Sequence, residues 1–176
     1  MNKRTRELVL AAILTALSIL ITYSPVKLYL PFFTLTVGSH TPTMLAAFIS
    51  PWVVVMTVIG NCFGYLMTIP APNSIIVVTR AATHLLFALI GHKMIKDGKI
   101  NIYLTIIITG VLHALAEGIS VFALTPVILP DQAATYAAAI ALAGTFVHHF
   151  LDCAITAPIV LALGRAKIIR NIWKKS

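Results

Sequence analysis

Charge is scarce in this sequence. Asp, Glu, Lys and Arg make up 10% of its 176 residues, hydrophobic residues make up 59%, and the mean hydropathy is +0.96. Soluble domains carry roughly 25% charged residues and about 45–50% apolar ones, so a soluble globular fold is excluded. Disorder is excluded as well, because it needs low hydrophobicity and high charge. Cysteine is equally sparse: Cys62 and Cys153 lie in apolar runs without a CxxC partner, which supports neither a disulfide framework nor a zinc site. Several motifs are also missing. There is no G-x-x-x-x-G-K-[ST] loop and no room for a nucleotide-binding domain, so any active transport must draw on another subunit or an ion gradient. No G-x-S-x-G elbow, H-E-x-x-H pair or pair of intramembrane aspartates is present. No enzymatic activity and no catalytic residue is expected.

Long apolar runs are abundant. They cover Leu8–Tyr23, Pro51–Ile69, Ser74–Ile90, Ile102–Ala123 and Ala133–Leu163, with a shorter one at Pro42–Ser50. A spanning helix needs about 20 mostly apolar residues, so the chain is expected to be an all-α membrane protein, a single integral domain over 1–176 with six transmembrane helices, the second of them short. Eleven of the thirteen Lys and Arg lie before the first run (Lys3, Arg4, Arg6), between the fourth and fifth (Lys93, Lys96, Lys99) and after the last (Arg165, Lys167, Arg170, Lys174, Lys175). Six spans put all three clusters on one side, which the positive-inside rule makes cytoplasmic, together with both termini. The net charge of +8 is therefore assigned to the membrane surface, and no nucleic-acid partner is expected. The N-terminus has the basic start and apolar run of a signal peptide, but further spans follow and the first run is read as retained.

Ionisable groups within spans cost several kcal/mol and usually face a cavity or a partner. Counting from the outer ends, Arg80 and Glu117 lie about 9 Å deep, and His84 and His113 about 15 Å deep. Arg80 with His84, and His113 with Glu117, are each four residues apart and share a helix face. With Asn61, Ser39 and His40 they are expected to form a polar cavity opening outward. Arg80–Glu117 is read as either a structural ion pair or a direct ligand contact. His148, His149 and Asp152 look briefly like a metal site, but only one local i,i+4 pair exists where zinc wants three or four converging ligands. An interhelical hydrogen bond is the better reading, and neither metal nor cofactor is expected.

Small residues recur at spacing four: Gly60 and Gly64; Gly110, Ala114 and Gly118; Ala137 and Ala141 followed by Gly144; Ala12 and Ala16. In lipid such stripes let helices approach closely, and all but the Ala12–Ala16 stripe are read as internal packing. The segment Ser24–His40 is too apolar for a free loop and is expected to fold over the bundle as a lid or hairpin. Tyr29, Phe32 and Phe33 could stack on a planar ligand or sit in an interfacial belt. Pro70–Asn73 and Pro126–Asp131 supply the other outer walls.

With six helices, cytoplasmic ends, the Ala12-x-x-x-Ala16 motif and a long first outer loop, the chain resembles the S components of energy-coupling factor (ECF) vitamin transporters along essentially its whole length. The resemblance implies a subunit of the bacterial cell membrane that binds a small vitamin on the outer side and topples to release it inside. It implies that Ala12 and Ala16 dock a membrane coupling subunit bound to two ATPases. The vitamin site would be the outward cluster of His40, Asn61, Arg80, His84, His113 and Glu117. No biotin-, riboflavin- or cobalt-type signature appears, and the start of the chain lacks the metal-binding residues of the nickel and cobalt members. Arg80 with histidines suits a carboxylate or phenolate and Glu117 an N–H donor. Pyridoxine, a hydroxymethylpyrimidine or niacin is therefore expected, with pantothenate as an alternative. A stand-alone proton-coupled transporter using His148, His149 and Asp152 is a second class, and an integral membrane enzyme a third.

Overall fold

Capping residues set where the helices begin. In the computed structural model, which describes residues 2–30 and 33–169 (27–30 by backbone alone), Asn2 accepts a hydrogen bond from the Thr5 amide at 2.8 Å and opens α1, Lys3–Thr22. Ser50, followed by Pro51 at the first helical position, opens α3, Pro51–Thr68. α4 spans Asn73–Asp97 and stops at Gly98, whose φ of 64° is the left-handed conformation that favours glycine at a helix end. Asn101 caps α5, Ile102–Ile128, by accepting from the Leu104 amide at 2.8 Å. α6 runs Ala134–Arg165.

These five helices are long and apolar enough to cross a membrane. Large apolar side chains such as Leu20, Phe63, Ile119 and Val147 stand exposed on their outer faces, a surface suited to acyl chains rather than water. Among the described residues five helices rather than six are long enough to span, and the segment between α1 and α3 differs from them. The helix expected at Pro42–Ser50 is α2, Thr41–Ala47, whose seven residues reach about 10 Å. The segment before it is an antiparallel hairpin of β1, Lys27–Leu30, and β2, Phe33–Thr36, with Lys27 opposite Thr36 and Leu30 opposite Phe33. The helical bundle thus carries a small β element. Arg170, Lys174 and Lys175 of the basic tail, and Phe32 of the first outer loop, lie outside the described residues.

Glycine contacts reveal how the chain is threaded. A Cβ on Gly60 would lie 2.6 Å from Thr15 Cγ2, and one on Gly64 would lie 2.7 Å from Thr22 Oγ1. Contacts that climb together on both helices make α1 and α3 parallel, so the chain between them returns through the hairpin and α2. The return ends where α1 starts: Phe48 and Ile49 share a cleft with Lys3, Arg6, Glu7 and Lys167 to Ile169. α4 ends at this level too, because His92 Nδ1 donates to the Ala47 carbonyl at 2.8 Å. The basic residues of α1, α4 and α6 are gathered at one end of the bundle. The α3–α4 and α5–α6 turns stand at the other.

α1 packs through Ala11, Leu14, Ser18 and Thr22, a buried stripe at helical spacing, and leaves Ala12 and Ala16 exposed. α5 and α6 meet at Gly110, which backs onto His149, and at Gly118, which backs onto Leu142. Gly144 serves the hairpin: a Cβ there would come within 2.7 Å of the Phe33 ring. That aromatic ring is therefore seated inside the bundle, 2% exposed, rather than lying over it.

Candidate functional site

Five of the six histidines meet in the centre of the bundle around two buried carboxylates. The first carboxylate is Glu117 on α5. Its Oε2 accepts from Arg80 Nε at 2.9 Å and Nη2 at 2.6 Å, and from the Thr145 hydroxyl of α6. Its Oε1 faces His84 Nε2 at 3.1 Å and His113 Nε2 at 3.3 Å. Beyond the first ring, His113 Nδ1 lies 3.1 Å from His149 Nδ1, and His149 Nε2 lies 3.3 Å from Thr109 Oγ1. α4, α5 and α6 are thus joined through one acid. Removing one partner of a buried ion pair such as Arg80–Glu117 costs about 3–5 kcal/mol, since the other charge is left uncompensated.

The second carboxylate is Asp152 on α6, and it holds the hairpin segment. Its oxygens accept from the backbone amides of Gly38 at 2.8 Å and His40 at 2.9 Å. His40 Nδ1 lies 3.0 Å from Oδ2 and His148 Nε2 lies 3.2 Å from the same atom. His148 Nε2 also donates to the Thr36 carbonyl at 3.1 Å. Gly38 takes φ 79° in this turn, a conformation that L side chains rarely adopt. The His40 ring bridges the two carboxylate groups, with its centroid 4.6 Å from those of His84 and His113 and 4.4 Å from that of His148.

Above this cluster, on the side away from the basic end, the bundle opens into a vestibule of about 540 Å³. Phe33, Thr68, Pro70, Asn73, Thr125 and Gln132 stand in its wall, and Arg80 lies at its floor. The same Arg80, with Thr34, Ile69 and Val77, also lines an inner chamber of about 20 Å³ walled by Ser39, His40, Tyr65, His84, Glu117 and His148. The inner space is of water size; only the vestibule has ligand dimensions. The Arg80 guanidinium carbon sits 4.7 Å from the centre of the Phe33 ring, a cation–π distance.

The structure therefore brings together His40, Arg80, His84, His113 and Glu117. Asn61 is not among the residues lining either space. It is fully buried on α3, and neither its amide nitrogen nor its oxygen has a hydrogen-bond partner among the described residues. Thr145 and Tyr65 complete the site without having been singled out in the sequence, because a hydroxyl in an apolar run carries no signal of its depth. The side chain of Tyr29 lies outside the described part.

A deep polar cluster, reached from one end through a vestibule and surrounded by lipid-suited helices, defines a multi-pass membrane protein with a polar interior. The chain is 34% identical over 127 residues to the niacin transporter NiaX of Lactococcus lactis subsp. cremoris (strain MG1363), covering 68% of this chain and 56% of that protein. Over that stretch the chain is similar to a protein named as a transporter. The chain spans just over half the length of that relative. No family profile matches it, and no solved structure does.

Proposed function

We propose that the chain is the substrate-binding subunit of an ECF-type importer that captures a small anionic heteroaromatic vitamin of the niacin type. One observation carries this: among the described residues, Arg80 is the one cationic side chain lining the outer vestibule of about 540 Å³, at its floor, with the Phe33 ring beside it. A pyridine carboxylate matches both, the carboxylate taken by the guanidinium and the planar ring by the aromatic wall. Glu117, itself held by His84, His113 and Thr145, keeps Arg80 in place, and His40 walls the chamber beneath. The name of the relative, a niacin transporter, agrees with the same substrate class. Among the earlier expectations, pyridoxine, a hydroxymethylpyrimidine and pantothenate rank behind it.

The basic end of the bundle faces the cytoplasm, with both termini there, and the vestibule faces outward. The hairpin and α2 together make the sixth, irregular crossing, a form tolerated where backbone is buried in protein. The exposed Ala12 and Ala16 offer a smooth strip for a membrane coupling subunit that carries two ATPases. His148 and Asp152 are engaged by the hairpin backbone, which favours a binding subunit over a stand-alone proton-coupled carrier.

Calorimetry of the purified protein with nicotinate and nicotinamide tests the site without altering the fold. The two ligands differ in the charge that Arg80 would meet, and an unpaired buried charge costs about 2–5 kcal/mol. Nicotinate is expected to bind at least about thirtyfold more tightly. Equal affinities would remove Arg80 from the contact, and no binding of either would remove the substrate class.

A further inference from the structure

Four side chains from three places in the fold converge beneath Arg80: His40 ahead of α2, His84 on α4, and His113 and Glu117 on α5. One donor atom from each lies within 4.8 Å of the other three. From these positions we propose that His40, His84, His113 and Glu117 form a binding site for a divalent transition metal of the zinc class. This proposal stands apart from the vitamin, since it needs only the four ligands.

Spacing is the first argument. Zinc holds nitrogen and oxygen ligands at about 2.0–2.1 Å in a tetrahedron, so neighbouring donors stand roughly 3.3 Å apart. His84 Nε2 and His113 Nε2 stand 3.1 and 3.3 Å from Glu117 Oε1. Imidazole with one carboxylate is a donor set that suits zinc and its neighbours.

The second argument is proton placement. Thr109 Oγ1 donates to the Thr105 carbonyl at 2.8 Å, a better bond than its 3.3 Å approach to His149 Nε2. With the hydroxyl proton used there, His149 Nε2 must be the donor to Thr109. A neutral His149 then has a bare Nδ1, so His113 Nδ1 donates to it across 3.1 Å. A neutral His113 therefore presents a bare Nε2 to the Glu117 carboxylate. Two lone pairs facing each other at 3.3 Å repel unless a cation lies between them. That cation is either a second proton on His113 or a metal ion.

Outer contacts favour the metal. Ligating histidines commonly hand their other ring nitrogen to a carboxylate, carbonyl or similar partner. His113 has His149 behind it, and His40 Nδ1 lies 3.0 Å from Asp152. His84 Nδ1 is buried with no hydrogen-bond partner among the described residues, so Nε2 is the nitrogen it turns toward Glu117. The second oxygen of Glu117 is fixed by Arg80 and Thr145, which leaves Oε1 for the ion. The acid is thus shared: Arg80 takes one oxygen for the vestibule and the metal takes the other.

The test uses the full chain in detergent, purified without a histidine tag. Its metal content is measured by mass spectrometry, and Zn²⁺ is then titrated against a chromophoric chelator. About one equivalent per chain is expected. The affinity should fall at least about tenfold in His84→Ala and in His113→Ala, and stay unchanged in His92→Ala, whose ring bonds the α2 carbonyl instead. Because a variant that loses a ligand can also lose its fold, Co²⁺ is added to the unaltered protein, where tetrahedral coordination gives intense visible bands. Absence of both bound Zn²⁺ and cobalt bands would assign the cation to a proton on His113 and overturn the metal site. Zinc binding that survives both histidine substitutions would overturn it as well. Nicotinate calorimetry on the same samples separates this outcome from failure of the vitamin reading.

Discussion

Replacing Asp152 should release the hairpin while leaving the helices assembled. Its carboxylate is fully buried and accepts two backbone amides, Gly38 at 2.8 Å and His40 at 2.9 Å, from a segment more than a hundred residues away in sequence. Hydrogen bonds to a charged acceptor contribute about 1.5–3 kcal/mol each, so these two hold the turn by roughly 3–6 kcal/mol. The contacts of the His40 and His148 rings are set aside here because their protons can be re-placed. Asp152→Asn keeps the shape, removes the charge and turns one acceptor into a donor facing the amides.

Amide hydrogen exchange in detergent, read by mass spectrometry on the peptide containing Gly38 and His40, reports the local opening directly. Each 1.4 kcal/mol is a factor of ten. Exchange in that peptide should therefore accelerate by roughly two to four orders of magnitude, while peptides from the middle of α3 and α5 stay as slow as before. Asp131→Asn, in the exposed turn before α6, is the control and should change nothing. Unchanged exchange at residues 38–40 in Asp152→Asn would show that the turn is held by its own backbone bonds, and the latch would be refuted. Acceleration spread evenly over all helices would refute it too, since that pattern reports global loosening.

Two further substitutions probe the helix faces. A methyl group on Gly64 would press into Thr22 at 2.7 Å and Ile19 Cα at 3.2 Å. Gly64→Ala should force α1 from α3 and destabilise the protein by about 1–3 kcal/mol, seen as a lower midpoint in thermal unfolding; an unchanged midpoint would mean that the pair adjusts freely. Ala12→Trp or Ala16→Trp places bulk on the exposed strip of α1. It should abolish nicotinate uptake by cells carrying the coupling module and leave binding by the purified chain intact, whereas normal uptake would deny that strip a docking role.

Hydropathy and charge alone make five of the helices legible, because a membrane forces each span to be long, apolar and flanked by basic residues on one side. The meeting of Arg80 with Glu117 is legible as well, since helical rise puts both at matching depth on neighbouring antiparallel helices. The short α2 and a hairpin before it are legible in outline too, but not their insertion into the bundle. Residues 24–50 are apolar enough to suggest a span, yet they hold Pro25, Pro31, Gly38 and Pro42, and the burial of residues 33–47 comes from threading into the bundle rather than from a periodic face. The same threading hides the role of Asp152. On α6 its neighbours of metal-binding type at helical spacing are His148 and His149, while its amide partners lie on a different part of the chain. Asn61 shows the opposite limit: intramembrane polarity marks it as a candidate, but depth alone does not put it in the chamber.

The two buried acids tie the hairpin to the helical bundle. Lipid supplies no hydrophobic drive between helices, so small-residue contacts and satisfied polar groups must hold the bundle. Glu117 collects donors from α4, α5 and α6, and Asp152 fastens the hairpin to α6. His40 belongs to both groups, and it is joined in sequence to Phe33, whose ring touches the vestibule, by the strand and turn that Asp152 holds. The consequence is measurable: if His40 is a metal ligand, Asp152→Asn should weaken Zn²⁺ binding by about tenfold to a hundredfold although Asp152 does not itself touch the ion. Unaltered zinc affinity beside an accelerated hairpin would show that the hairpin and the four-ligand cluster act independently.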